Sequence, residues 1–285
     1  MLRCQVAEAE AADEKALELA LAADDTRTVA SIQGNLSLES IWGPLPVADG
    51  IARCERILAE AGTNRRVELA TLGALAVLRA MDGRTEAAAA LVERAMAIGD
   101  DFPVRHVAAQ AAQFSALAML LSGDAGAAEA RLRAGYGMLE DMGDTGWRAE
   151  LSADLARVLF TRGRVDGAEA FALTSLGISD EEDLYSRSGA EGVLARVLAH
   201  RGEATGAIDL ATSAVALADR TDMLNMRAEA RSALADVLRM AGRRDEADAA
   251  LTAAIELYER KGNRSSAVAA RTLLASPMPV SLGLR

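Results

Sequence analysis

The stretch Leu234-Ala235-Asp236-Val237-Leu238-Arg239-Met240-Ala241-Gly242-Arg243-Arg244-Asp245-Glu246-Ala247 decides the fold. It reads as the end of one helix, a glycine that stops it, and the opening of the next. A glycine after a helical run can take the left-handed conformation that closes a helix without a Cβ penalty. Working outward, the same arrangement recurs. Gly43, Gly83, Gly123, Gly163, Gly202 and Gly242 stand 40, 40, 40, 39 and 40 residues apart. Five positions after each comes an alanine: Ala48, Ala88, Ala128, Ala168, Ala207 and Ala247. Seven positions before come Leu36, Ala76, Ala116, Ala156, Ala195 and Ala235. A fixed period of this length marks a repeat architecture in which each unit is one supersecondary element. An alanine one turn into a helix is small enough for the partner helix to pack against the backbone.

A second set of boundaries lies between units, at Gly99-Asp100, Gly143-Asp144, Asp180, Asp222 and Gly262-Asn263. Asp and Asn are favoured N-caps, so each is expected to start the first helix of the next pair. Pro103 suits the first turn of such a helix. The resulting map puts A helices at about 26–41, 64–81, 103–121, 145–161, 186–200, 225–240 and 264–275. B helices fall at about 46–61, 85–98, 124–142, 165–178, 203–220 and 244–261. Residues 3–22 read as one more helix, an orphan B. The repeat domain is therefore expected over 1–275, with a disordered tail over 276–285, where Pro277 and Pro279 break the pattern. The chain opens inside a helix pair with no polar capping repeat, which leads us to expect the C-terminal part of a longer protein.

Composition agrees with an all-α chain. Of its 285 residues 51% are hydrophobic but only 3% aromatic, so the apolar content is mainly Ala, Leu and Val. Alanine is the strongest helix former, whereas sheets favour β-branched and aromatic residues. A net charge of −11 and the absence of any basic run argue against direct nucleic-acid binding. Only Lys15 and Lys261 among the 31 basic residues are lysines. Cys4 and Cys54 form no C-x-x-C pair, in keeping with a reducing cytoplasm and no disulfide framework. The acidic start, with Glu8, Glu10, Asp13 and Glu14, excludes a signal-peptide core. The uncharged run Val107–Gly123 is short of a typical span of about 20 residues and contains Gln110 and Gln113. It is expected to be a buried central helix, and no membrane association is expected.

The last unit, with Leu234-Ala235, Leu238, Gly242, Ala247, Leu251 and Ala254, resembles the tetratricopeptide pattern of small and large residues. The expected fold is thus an all-α, tetratricopeptide-like superhelix, a solenoid of about six to seven antiparallel helix pairs with a period of ~40 residues. A narrower resemblance rests on Trp42-Gly43-Pro44-Leu45-Pro46-Val47 followed by Ile51-Ala52-Arg53-Cys54-Glu55. Leu139-Glu140-Asp141-Met142-Gly143-Asp144 and Leu257-Tyr258-Glu259-Arg260-Lys261-Gly262-Asn263 also carry it. These runs are similar to the helical C-terminal region of bacterial signalling ATPases, in which a nucleotide cyclase or DNA-binding domain precedes an ATPase module of the AAA type. The resemblance implies a regulatory role in the cytoplasm, with a protein partner or a neighbouring ATPase or cyclase domain. An alternative it implies is an effector sensor controlling an attached cyclase or transcription activator.

No phosphate-binding G-x-x-x-x-G-K-[ST] loop is present. His106 and His200 are far apart and lack carboxylates at metal-ligand spacing, so both are assigned structural roles. Trp42 and Trp147 are assigned to packing between helix pairs, and Asp180-Glu181-Glu182-Asp183 to a solvated helix start. No catalytic residue, metal or cofactor is expected. What remains is the concave face that tetratricopeptide arrays build from their A helices. Projecting that pattern gives Gln110, Gln113, Leu117 and Leu120, then Glu150, Arg157 and Phe160, then Arg196, and finally Glu229, Asp236 and Arg239. Such a face suits an extended peptide or a partner helix.

Overall fold

A computed structural model describes residues 5–100, 102 and 104–276. Among these residues there are fourteen α-helices and no strand, so the chain is an all-α array of tetratricopeptide-like helix pairs. The A helices are α2 (Thr26–Trp42), α4 (Arg65–Met81), α6 (Arg105–Leu121), α8 (Gly146–Thr161), α10 (Leu184–His200), α12 (Leu224–Met240) and α14 (Arg264–Ala275). The B helices are α3 (Val47–Glu60), α5 (Thr85–Gly99), α7 (Ala125–Met142), α9 (Val165–Ile178), α11 (Ala204–Asp219) and α13 (Arg244–Lys261). The orphan B helix is α1 (Val6–Ala22). The chain divides into two compact units, one of Gln5–Asp144 with Lys261–Ser265, the other of Thr145–Arg260 with residues 266–276.

In the first unit the core runs along the A helices. Residues on nearly all sides of α4 are buried, Leu72, Ala74, Ala76, Leu78 and Ala80 completely. Each fully buried leucine contributes about 2 kcal/mol relative to an exposed one. In α6 burial is almost unbroken from Val107 to Ala118, which accounts for the uncharged run, and Phe114 packs on Trp42 with ring centroids 6.3 Å apart. No helix among the described residues is long and apolar enough to cross a membrane. The second unit repeats the plan with smaller side chains: Ala156, Ala168, Ala172 and Ala190 pack with Leu159 and Val197 around α8, α9 and α10. The residue seven before the glycine is buried in all six units, from Leu36 to Ala235.

Five of the six marker glycines close their A helices in the left-handed region, at φ between 71° (Gly163) and 89° (Gly123). Gly43 does not: it is extended at φ −69°, ψ 177°. Pro44 follows it, and the residue before a proline is pushed out of helical conformations. The alanine five residues on is buried in the same five units, whereas Ala48 is exposed and Val47 takes the buried place.

The expected caps between units are corrected as well. Asp183, not Asp180, caps α10 by accepting from the Ser186 N–H at 3.0 Å. Val104, Thr145 and Met223 occupy the N-cap positions of α6, α8 and α12, in place of Asp100, Asp144 and Asp222. Helices α6, α8, α10 and α12 thus start two to five residues after Asp100, Asp144, Asp180 and Asp222. Asp100 closes α5 instead and pairs with Arg131 at 3.1 Å. Asn263 directly precedes α14. Pro103, Cys4 and residues 277–285 of the expected tail lie outside the described residues, and Ser276 is bonded to Thr272 O through its hydroxyl.

Candidate binding surface on the A helices

The position one residue after the buried Leu36/Ala76 series separates the two units. In the first it holds Ser37, Val77 and Leu117, all buried. In the second it holds Arg157, Arg196 and Asp236, all partly exposed. The helix period brings a second row to the same face, seven residues before that position, where Gln110, Glu150 and Glu229 stand. One repeat register thus supplies core side chains in the first unit and charges in the second.

Those charges are paired with one another across helices. Arg157 on α8 donates from Nη1 to Glu229 Oε2 on α12 at 2.5 Å and from Nη2 to Asp154 Oδ1 at 2.9 Å. Tyr185 on α10 donates its hydroxyl to the same Asp154 oxygen at 3.1 Å. Arg196 on α10 donates from Nε to Asp236 Oδ2 on α12 at 2.7 Å. Burial, and then the charge of Asp154, pushes the Tyr185 hydroxyl well above its ordinary value. Burial and Glu229 push Tyr258 the same way, so both tyrosines are neutral. Burial opposes the charge of Arg157, but Glu229 and Asp154 outweigh it and hold the guanidinium firmly protonated. Its Nε is buried without a hydrogen-bond partner. The result is a ladder of fixed charges on three successive A helices, oriented by charge-assisted hydrogen bonds, with Arg157 bridging two carboxylates.

The structure places the expected groove residues unequally. Arg157 with Glu229, and Arg196 with Asp236, come together as pairs, and Glu150 is half-buried on the same helix as Arg157. Phe160 packs instead against the Ala156, Leu159 and Ala168 core. Arg239 is buried and donates to Ser276 O at 3.1 Å. In the first unit Gln113 and Leu117 are buried within the core, while Gln110 and Leu120 are half-buried. Sequence reasoning missed Asp154, Tyr185 and Tyr258. The signal available for two of them was rarity, since the chain has only 3 tyrosines.

Other polar candidates have local explanations. His106 Nδ1 lies 3.3 Å from Asp144 Oδ2, and His200 ends α10. Among the described residues no group of three His, Cys, Asp or Glu is placed to hold a metal ion. Cys54 is fully buried, and that burial pushes its thiol up to about 12.

No family model matches the chain. No curated protein matches it either. Solved structures do. The chain is similar to Rap protein complexed with competence and sporulation factor, with 17% identity over 86% of this chain and 69% of that one, at a TM-score of 0.62. It is similar to the Cut9-Hcn1 hetero-tetramer of the APC/C, with 14% identity over 96% of this chain and 48% of that one, at 0.65. A third likeness is to BtubC from P. vanneervenii, with 14% identity over 82% of this chain and 92% of that one, at 0.52. At these identities the likeness shows the fold alone, a tetratricopeptide-like helical-repeat array.

Proposed function

We propose that this chain is a non-catalytic interaction module whose second unit binds a protein segment across α8, α10 and α12. The observation that carries this reading is the ladder of Asp154, Arg157, Glu229, Arg196 and Asp236. Charged side chains held in place by one another offer a partner preset hydrogen-bonding groups at little ordering cost. A segment with charges of both signs can exchange with these pairs. Rap and Cut9 are each described in a complex with another molecule, which agrees with an array used for recognition. The resemblance of the Trp42–Val47 and Leu257–Asn263 runs to signalling ATPases supports a regulatory role beside such an ATPase or cyclase.

Short random peptides displayed on phage and selected on the wild-type chain test the surface. Selected peptides should bind Arg196→Gln and Arg157→Gln at least about tenfold more weakly, while Arg244→Gln, on B helix α13, leaves affinity unchanged. Failure to enrich any peptide, or peptides indifferent to the first two changes, would sink the assignment. Far-ultraviolet circular dichroism of each variant checks that the helices persist.

A further inference from the structure

Helix α1 is held to the first unit by very little. Of its 17 residues only Val6 and Ala20 are buried. Val6 sits where a side chain on Gly43 would be, its Cγ1 only 2.9 Å from the Cβ position. Ala20 joins the small cluster with Ile32, Leu36, Ile57 and Val67. Between these two anchors Ala16 and Leu17 lie partly buried against the same cluster, and the rest of the contact is ionic and unbalanced. One guanidinium, Arg53 on α3, bonds both Glu10 (2.5 Å) and Glu14 (3.0 Å) of α1.

Glu39 on α2 adds a third carboxyl to that arginine's surroundings. It is only 3% exposed, and its Oε2 is buried with no hydrogen-bond partner. Arg53 has its Nη1 buried and unpartnered too, so the two groups are close enough to feel each other's charge but are not bonded. The α1 side supplies Asp13, Glu10 and Glu14, all raising the cost of a charge on Glu39. Of the other cations nearby, Arg79 on α4 is engaged by Glu55 on α3, and the Lys261 ammonium serves the backbone carbonyls of Ser40 and Gly43 at the end of α2. Lys15 is turned to Glu18 at the exposed surface of α1. An ionised buried carboxylate without a bonded partner is strongly unfavourable.

We propose that α1 is an acid-tightened latch, docked over Glu39 while that carboxyl is neutral and loosened from α2 and α3 when it ionises. Burial first, then Asp13 and Glu10, pushes Glu39 from its ordinary 4.5 up to about 7 when α1 is docked. With α1 away, both causes weaken. The raised value belongs to the docked state, so docking is strongest below the ordinary value and is lost as pH rises through the docked one. The opening constant of α1 therefore rises about tenfold per pH unit between about 5 and 7 and levels off above about 8. Opening would uncover Gly43, Ile32 and Leu36 to solvent or to a partner.

Amide hydrogen exchange on the full chain, corrected for base catalysis of exchange, reads this directly. Protection of the α1 amides (Val6–Ala22) should fall about a hundredfold from pH 5 to pH 7, while α4 amides (Arg65–Met81) keep theirs. Glu39→Gln should hold α1 protected and flat with pH. Should that variant misfold, Asp13→Asn serves instead: removing one repelling charge lowers the docked value of Glu39, so the fall in protection should be smaller and level off at a lower pH. An α1 protection profile that is flat in the wild type, or equally steep in Glu39→Gln, overturns the latch.

Discussion

The turn from α2 to α3 and the five later turns from A to B helix carry the same glycine and do different things with it. In the later turns a left-handed glycine ends the helix, and the carbonyls of its last turn are met by backbone N–H groups. Arg243 N bonds Leu238 O at 2.9 Å, and Gly242 N bonds Arg239 O at 3.1 Å. At the first turn Gly43 is extended, followed by Pro44 and Pro46, which have no N–H to give. Gly43 N still bonds Glu39 O at 2.8 Å, but the remaining donors come from far along the chain. The ammonium of Lys261, fully buried at the end of α13, donates to Ser40 O at 2.8 Å and to Gly43 O and Leu45 O at 2.7 Å. The following residues continue the seam: Gly262 lies against Val47, Arg264 pairs with Asp82 at 3.0 Å, and Ser265 bonds Ala80 O at 2.6 Å. A helix end can be capped locally or by a distant cation, and the choice decides what each residue nearby is for.

The largest way to break that comparison is Lys261→Met. It removes one donor group and leaves three carbonyls without it, two of them buried, at about 1 kcal/mol or more each, so a loss of about 3–5 kcal/mol is expected. Urea denaturation followed by helical ellipticity measures it, and an unchanged midpoint would refute the capping role. Arg244→Met, a cation at the start of α13 with half its side chain exposed, should change the midpoint by no more than about 0.5 kcal/mol.

Next is the alanine five residues after the glycine. Ala168 is fully buried, so Ala168→Leu forces extra volume into a packed site and should cost about 1–3 kcal/mol. Ala48 holds the same place in the sequence pattern but is exposed, and Ala48→Leu should be close to neutral. Equal losses from the two substitutions would mean that the first unit keeps the common register after all.

These pairs show what was legible in the sequence. Helix number, helix type and the A–B alternation follow from spacing, because each glycine and its two small neighbours report a purely local geometry. The exception at Gly43 was marked only by Pro44 and Pro46, and its donor lies 218 residues away, beyond the reach of any local pattern. The candidate site was legible in part. Arg157, Arg196, Glu229 and Asp236 were placed together because a repeat projects equivalent positions onto one face. Which of those positions are open depends on what packs on either side. In the first unit that packing buries Gln113 and Leu117. Asp154 could not be found by projection, since it lies on the neighbouring, core-facing row of α8 and joins the ladder through Arg157 and Tyr185.

The glycines themselves give the third contrast. At Gly163 a Cβ meets nothing within 4 Å, so Gly163→Ala pays only for a left-handed alanine at φ 71°, about 1–2 kcal/mol. At Gly43 the backbone is ordinary but the space is filled, by Val6 Cγ1 at 2.9 Å and Glu39 O at 3.0 Å. Gly43→Ala should therefore show its effect as faster amide exchange in α1, relieved in part by adding Val6→Ala. Relief of Gly163→Ala by any neighbouring truncation would contradict this division into strain and crowding.

The smallest effect separates cap from loop in the second unit. Asp183 and Asp180 stand three residues apart in one acidic run, and on composition alone either is a good helix start. Only Asp183 has its side chain on a free backbone donor, the Ser186 N–H at 3.0 Å, whereas Asp180 takes part through its main-chain oxygen, accepting from Asp183 N at 3.0 Å. Alanine keeps that backbone bond and removes the side-chain one. Asp183→Ala should thus cost about 1 kcal/mol and Asp180→Ala a few tenths at most, read as urea midpoints. Because Tyr185 lies in the first turn of α10, two residues beyond the cap, fraying at Asp183 should also loosen its 3.1 Å bond to Asp154. A phage-selected peptide bound at the charge ladder should then lose affinity with Asp183→Ala and keep it with Asp180→Ala. The opposite order would place the start of α10, and with it the edge of the proposed binding surface, at the wrong aspartate.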